Sequence, residues 1–354
     1  MKILMLVNWK VEYSDKVPGN KQPPDYYVRG KPYWFYRYFN KIPEVDVMDI
    51  SSFSWVEKFE KKVIRFHLLQ ALKAIPKLHK YDLIVSHGMQ SGVVISLWRK
   101  LFKGKAKHIV FDIGSFNSAA ESGFALKLMQ SASKSIDWII YHTSSQITYY
   151  YKFFPHIVDK STFIRFGTDL DFFNPEQLSD SKDKAKYIIC VGYSKRDWTT
   201  LVDAYKRLKT NIKLRLVGHV EDEFKCIEGV EQIDFIPIKD LINQIYNAKF
   251  CVLPLESFNY SYGQMTLMQQ MALGKCVIAA RVPSLVDYIE DGKTAIMYEP
   301  KNIHDLASKM QMVIDNESLM NKIAQQGQQF LSEQCNEKIM AKEIEKVYAL
   351  VIKK

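Results

Sequence analysis

A chain of 354 residues with 47% hydrophobic and 25% charged content has the make-up of a globular protein, and 15 Gly and 12 Pro exclude fibrous or low-complexity structure. Its length predicts two domains, because a single core stops growing at about 250–300 residues. The formal charge of +10 is uneven: residues 1–168 hold 25 Lys and Arg against 13 Asp and Glu, a balance of +12, and the remainder balances at −2.

A basic first half is suited to meet an acidic surface, and phosphate-bearing ligands, anionic lipid and nucleic acid all fit on charge alone. The bland alternative is a Lys-rich composition with no partner behind it. No nucleic-acid motif accompanies the charge, so nucleic acid is not expected as a partner. The five Cys (Cys190, Cys226, Cys251, Cys276, Cys335) lie far apart without C-x-x-C spacing, which predicts core thiols in a reducing compartment and no zinc site. Residues 1–8 hold too short an apolar run for a signal segment or a membrane span, and the expected localisation is cytoplasmic.

Residues 2–8 read as a buried strand, and the long loop 8–31 that follows mixes cations with aromatics, Gly and Pro. Its Gly30-Lys31 end is a candidate acceptor or phosphate loop, with a plain surface loop as the alternative. Residues 32–39 read as a helix with an aromatic face, and 45–50 as a strand. Residues 55–80 form a basic amphipathic segment in which Trp55, Phe59, Val63, Phe66, Leu69 and Leu72 recur at helical spacing. Lys58, Lys61, Lys62 and Arg65 on it are candidate contacts to an anionic membrane, and packing on a sheet explains the same periodicity.

Strands are expected at 82–86, 107–112 and 137–142, each ending in polar residues and followed by helical sequence. That alternation predicts a doubly wound parallel sheet. Asn8, His87, Asp112, Ser115, His142, Thr143 and Ser144 would line the rim at the carboxyl ends of its strands. After the run 176–186, a linker by composition, a second series begins with strand 187–192 and the loop Tyr193-Ser-Lys-Arg-Asp197. That loop precedes a helix and can grip a diphosphate through Lys195 and Arg196; a solvated turn with Asp197 as the helix cap is the plainer reading.

The stretch 253–280 reads as strand end, polar aromatic loop, buried helix from about Gln264 to Leu273, a left-handed stop at Gly274 and a buried strand 277–280. A loop that feeds a helix amino end offers N–H groups and a positive dipole end to an anionic or polyhydroxyl ligand. Neither half carries G-x-G-x-x-G or a P-loop, which argues against dinucleotides and P-loop hydrolysis.

Four landmarks in order carry a resemblance: Arg165-Phe-Gly-Thr-Asp-Leu-Asp-Phe-Phe173, Cys190-Val-Gly192, Gln270-Met-Ala-Leu-Gly-Lys-Cys-Val-Ile-Ala279 and Leu285-Val-Asp-Tyr-Ile-Glu-Asp-Gly-Lys-Thr-Ala295. Over roughly residues 137–330 the chain resembles the retaining GT-B glycosyltransferases, in particular glycosyltransferase family 4. The resemblance implies an α/β GT-B fold, two Rossmann-like doubly wound domains facing a deep cleft. Residues 1–170 would form the acceptor domain, joined by helix 338–354, and 171–337 the nucleotide-sugar domain.

The donor contacts so implied are Gly192, Tyr193, Ser194, Lys195, Arg196, Gly263, Gln264, Met265, Thr266 and Gln269. The family's two glutamates, eight apart, fall on Ser261 and Gln269, and Glu256 on the same loop is a candidate substitute. Candidate catalytic residues are Asp112, Ser261, Glu256 and His87. The implied activity is metal-independent transfer of a sugar, with retention, from a UDP- or GDP-sugar to a glycan or lipid-linked acceptor, with no cofactor, in bacterial surface polysaccharide or glycolipid synthesis. Loss of both glutamates motivates the alternative, a catalytically silent nucleotide-sugar or glycan binder.

Overall fold

The computed structural model describes the chain except Arg65, Lys103, Ser115, Asn117–Ala120, Lys225, Asn259 and Lys354. Two of the expected sites, Arg65 and Ser115, lie outside the described residues, as does the side chain of Lys61. The chain divides into two units. Unit 1 comprises Met1–Arg165, Asn259–Ser261 and Lys338–Lys354, and unit 2 comprises Phe166–Phe258 and Tyr262–Glu337.

Unit 1 is built on β1 (Lys2–Leu6), β2 (Glu12–Ser14), β3 (Tyr26–Val28), β4 (Glu44–Met48), β5 (Leu83–His87), β6 (Lys107–Asp112), β7 (Trp138–Tyr141) and β8 (Ser161–Phe163). Six of them form one sheet in the order β4-β1-β5-β6-β7-β8, and every pairing is parallel. Parallel strands need both faces covered, which is why Ile3–Leu6, Leu83–His87 and Trp138–Tyr141 are buried at every position. The helices are α1 (Ser54–Phe59), α2 (Leu68–Ala74), α3 (Met89–Leu101), α4 (Gly123–Ser133) and α5 (Gln146–Phe153).

Unit 2 has the strands β9 (Tyr187–Gly192), β10 (Lys213–Gly218), β11 (Val230–Ile233), β12 (Cys251–Leu253), β13 (Val277–Ala280) and β14 (Ile296–Tyr298). They form a parallel sheet in the order β11-β10-β9-β12-β13-β14. Its helices are α6 (Trp198–Tyr205), α7 (Ile238–Asn247), α8 (Gln264–Ala272), α9 (Ile303–Asp315) and α10 (Glu317–Gln334). A final helix, α11 (Glu337–Lys353), packs in unit 1: the buried Tyr36 and Tyr348 hydroxyls lie 3.2 Å apart, and Glu345 accepts from the Asn40 backbone and side-chain nitrogens.

Each unit is therefore a doubly wound Rossmann-like sheet in which the first strand pairs with its successor on one side and a later strand on the other. Ligands of such sheets bind beyond the carboxyl ends at that point of reversal. It lies between β1 and β5 in unit 1 and between β9 and β12 in unit 2.

Three local expectations need correction. The aromatic stretch 32–39 is a five-residue 3-10 turn, Trp34–Tyr38, whose buried Trp34, Phe35 and Tyr36 each fill a core slot. The segment 55–80 is broken into α1, a π-helical stretch Glu60–Ile64, α2 and a 3-10 stretch Ile75–Lys80 with proline in its first turn. The break before α2 is held by Glu60, whose carboxylate accepts from the Leu69 N–H at 2.7 Å, and proline cannot continue α2 because it lacks an N–H. Loop 8–31 contains the parallel β2–β3 pair, pinned where the Tyr33 hydroxyl and Trp9 Nε1 both donate to the Pro24 carbonyl, at 2.8 and 3.3 Å.

Candidate functional site

In unit 2 the reversal point is framed by two loops, 193–197 after β9 and 254–263 before α8. Each loop follows a fully buried strand, so the sheet fixes where it starts. Gly192 is required at the end of β9: an added Cβ would lie 2.2 Å from Arg196 Nε, because the Arg196 side chain folds back over it. Gly218, at the end of β10 with φ +138°, is required as well, since its Cβ would lie 1.8 Å from the Gly192 carbonyl oxygen.

Arg196 is 9% exposed and cross-links both loops. Its Nε donates to the Val191 carbonyl at 2.9 Å, and Nη1 donates to the Ser194 carbonyl at 3.2 Å and the Tyr262 hydroxyl at 3.0 Å. Nη2 donates to Thr266 Oγ1, in the first turn of α8, at 3.3 Å. Four of the five N–H donors of a guanidinium are thus occupied within the protein. Tyr262 closes the frame by donating to the Ser194 carbonyl, with Ser194 Oγ 3.3 Å from its hydroxyl. Sequence reasoning passed over Tyr262; its one signal was an aromatic run just before a glycine.

Lys195, at φ +55°, lays its ammonium 3.7 Å from the centre of the Phe258 ring. Burial lowers its pKa from the usual lysine value, and the exposed carboxylate of Glu256 opposes the shift. Asp197 caps α6, accepting from the Thr200 N–H at 3.0 Å and the Thr200 hydroxyl at 2.7 Å. Tyr193 is exposed and lies 5.7 Å, centroid to centroid, from Phe235, an exposed ring beyond β11.

The helix α8 begins at Gly263, with φ +84°, where a Cβ would press on Leu255 at 2.4 Å. Its N-cap residue is this glycine, which has no side chain to accept from the first-turn N–H groups. Gln264 is buried, Met265 exposed, and Thr266 and Gln269 are half-buried. Gln270, wholly buried beside Gln269, has no hydrogen-bond partner for either amide atom among the described residues. Ser261 is half-buried and belongs with 259–261 to unit 1.

In unit 1 Asp112 ends β6 completely buried. One carboxylate oxygen accepts from the Gly114 and Phe116 N–H groups at 2.9 and 3.4 Å, the other from Tyr150 Oη at 2.6 Å and Gln146 Nε2 at 3.0 Å. Burial raises its pKa, against the pull of those hydrogen bonds. Among the described residues its partners all come from unit 1, so it organises the turn after β6.

His87 ends β5 with its ring 4.7 Å from Trp9, 5.8 Å from Trp34 and stacked 5.9 Å from Phe111. Both its nitrogens are buried without a partner among the described residues, and burial, with His142 nearby, brings its pKa down to about 3. It is a neutral imidazole at the reversal point of its sheet. His142 and Thr143 are buried, while Asn8 and Ser144 are half-buried on the same ends. Gly30, with φ +74°, and Lys31 form an exposed turn closed by Lys31 N–H to the Val28 carbonyl at 3.1 Å. Lys58 and Lys62 are exposed.

Among the described residues no group of three His, Cys, Asp or Glu is placed to hold a metal ion, and no helix is long and apolar enough to cross a membrane.

Residues 185–316, the greater part of unit 2, match the family described as Glycosyl transferases group 1. The chain is 28% identical over 137 residues to an uncharacterised glycosyltransferase, MJ1178, of Methanocaldococcus jannaschii, covering 37% of this chain and 38% of that one. It is 23% identical over 222 residues to the capsular polysaccharide biosynthesis glycosyltransferase CapM of Staphylococcus aureus, covering 55% and 57%. The matches thus span between a third and three fifths of these relatives. The structure of Anabaena HepE in complex with UDP-glucose superposes with a TM-score of 0.70 at 14% identity, covering 99% of this chain and 100% of that one. The chain has the GT-B fold, and its likeness to the group 1 glycosyl transferases lies in the second unit.

Proposed function

We propose that this chain is a glycosyltransferase whose unit 2 holds a nucleoside-diphosphate sugar and whose unit 1 meets a glycan or lipid-linked acceptor. One observation carries the reading: a buried guanidinium, Arg196, ties the loop after β9 to the first turn of α8, whose N-cap is a glycine, at the reversal point of a Rossmann-like sheet. A fixed positive charge, a helix dipole and Lys195 then converge where a leaving diphosphate accumulates negative charge. HepE, with the same fold, is described with UDP-glucose, and CapM as a capsular polysaccharide glycosyltransferase, which supports a UDP- or GDP-sugar donor and a surface polysaccharide or glycolipid product.

In this reading Arg196 positions the loops and supplies charge, and Lys195 swings from the Phe258 ring to the diphosphate. The exposed Tyr193 and Phe235 rings, tilted 45° to one another, offer apolar contact to the base, and Gln269 hydrogen-bonds a ribose hydroxyl through its amide. Thr266, Met265 and Gln264 present first-turn N–H groups. The acceptor hydroxyl attacks from the side the diphosphate leaves, which gives retention. Asp112 holds the turn after β6, and neutral His87 accepts from or donates to an acceptor hydroxyl. The cations of the chain carry the diphosphate charge, so transfer proceeds without metal or cofactor. Lipid-linked acceptors place unit 1 at the cytoplasmic membrane face, next to Lys58 and Lys62.

The test is incubation with UDP-, GDP- and ADP-sugars plus extracted lipid or oligosaccharide acceptors, with and without EDTA. Nucleotide release with an acceptor-linked sugar of unchanged anomeric configuration is expected in both. The absence of carboxylates at Ser261 and Gln269 favours a second reading, a silent donor binder; donor binding without transfer to any acceptor would establish it.

A further inference from the structure

The segment 53–63 exposes four large apolar side chains within eleven residues: Phe53 (72%), Trp55 (70%), Phe59 (49%) and Val63 (66%). Trp55, Phe59 and Val63 recur every fourth residue through α1 and the π-helical stretch after it, which is the spacing of one helix face. Lys58 and Lys62 lie on that exposed side with them. Of the two acidic residues of the segment, Glu60 is buried and Glu57, half-buried, is paired. Glu57 pairs with Lys10 at 2.8 Å and accepts from the Ser52 N–H at 3.3 Å. Glu60, 6% exposed, accepts from the Leu69 N–H at 2.7 Å and lies 3.8 Å from His67 Nδ1.

Among the described residues, the exposed side chains of 53–63 are thus Phe53, Ser54, Trp55, Lys58, Phe59, Lys62 and Val63, with no exposed carboxylate, on a first half that balances at +12. Core packing does not explain side chains this exposed, and a solvated surface helix does not gather its aromatics on one side. We propose that the outward face of residues 53–63 docks on an anionic lipid surface, with Phe53, Trp55, Phe59 and Val63 entering the acyl boundary and Lys58 and Lys62 at the headgroup phosphates. This deepens the membrane contact of the proposed function by making the anchor apolar as well as electrostatic. Its readout needs neither donor nor turnover, so its failure is distinct from failure of the transferase reading.

The experiment uses the full chain with vesicles of phosphatidylglycerol and phosphatidylcholine in equal parts, and of phosphatidylcholine alone. The wild type is expected to sediment with the anionic vesicles and to shift its tryptophan emission to the blue. Trp55→Phe should keep sedimentation and lose most of that shift. The combined variant Phe53→Ser, Trp55→Ser, Phe59→Ser should bind about tenfold or more weakly with an unchanged Tm, because the replaced side chains are exposed. Lys58→Glu with Lys62→Glu should weaken binding most at low salt.

A wild type that stays in the supernatant, or a triple-serine variant that sediments like the wild type, overturns the proposal. A triple-serine variant that changes only the oligomeric state in lipid-free solution also overturns it, assigning the face to self-association.

Discussion

The Tyr262 hydroxyl lies 3.0 Å from Arg196 Nη1 and also donates to the Ser194 carbonyl, so one phenol joins the loop before α8 to the loop after β9. Tyr262→Phe leaves Arg196 Nη1 short of one acceptor and the Ser194 carbonyl with Arg196 Nη1 as its remaining donor. We expect donor affinity to fall about fivefold to tenfold, of the order of 1 kcal/mol, with little change in Tm because the ring itself remains. Calorimetric titration of both proteins against the same UDP- or GDP-sugar checks this, and equal dissociation constants would remove Tyr262 from the donor frame.

In unit 1, Tyr150 Oη donates to Asp112 at 2.6 Å beside Gln146 Nε2 at 3.0 Å. Asp112→Asn retains an oxygen for the Gly114 and Phe116 N–H groups but turns an NH2 toward two donors. A loss of about 1–3 kcal/mol in stability is expected, and Tyr150→Phe in the same chain should recover part of it. Urea unfolding of the two single variants and the double variant measures this coupling.

His87 makes stability depend on pH. An unfolded imidazole takes its proton near pH 6.5, the folded one only near 3, so between these values the unfolded chain holds more protons. Stability therefore falls as pH drops from 6.5, and His142, lowered to about 4 by burial, acts in the same direction. His87→Phe keeps a ring against Phe111 and removes one titrating group. The drop in urea midpoint between pH 7 and pH 5 should be smaller in this variant than in the wild type.

Gln270 is a buried amide with no partner for either atom among the described residues. Gln270→Leu has similar volume and no polar atoms to desolvate, and should raise stability by about 1 kcal/mol, seen as a Tm a few degrees higher. A lower Tm would mean that the amide is satisfied by bound water.

The scaffold of the donor rim was legible because it is written locally. Apolar residues nearly all round predict buried α8, Gly274 stands at φ +70°, and Val277–Ala280 is a wholly buried strand. The contacts made across the rim were not legible. The readiness of Arg196 to hold a ligand looks complete in sequence, yet its hydrogen bonds to Tyr262 and Thr266, 66 and 70 residues on, arise only when the loop after β9 meets the start of α8. Asp112 is similar: a carboxylate at a strand end reads as reactive, and the hydrogen bonds that occupy it come from residues up to 38 positions away. The break in 55–80 is not legible in the periodicity, because Glu60 accepts from the start of the next segment nine residues on.

The central claim is that unit 2 holds a nucleoside-diphosphate sugar between Lys195, Arg196 and the first turn of α8. Calorimetric titration of the full chain with UDP-, GDP- and ADP-sugars, repeated with Lys195→Ala, tests it most directly. The account predicts saturable binding of at least one donor to the wild type, about tenfold weaker in Lys195→Ala through loss of a charge-assisted contact to phosphate. No binding of any of these donors, or identical binding by the variant, would contradict it.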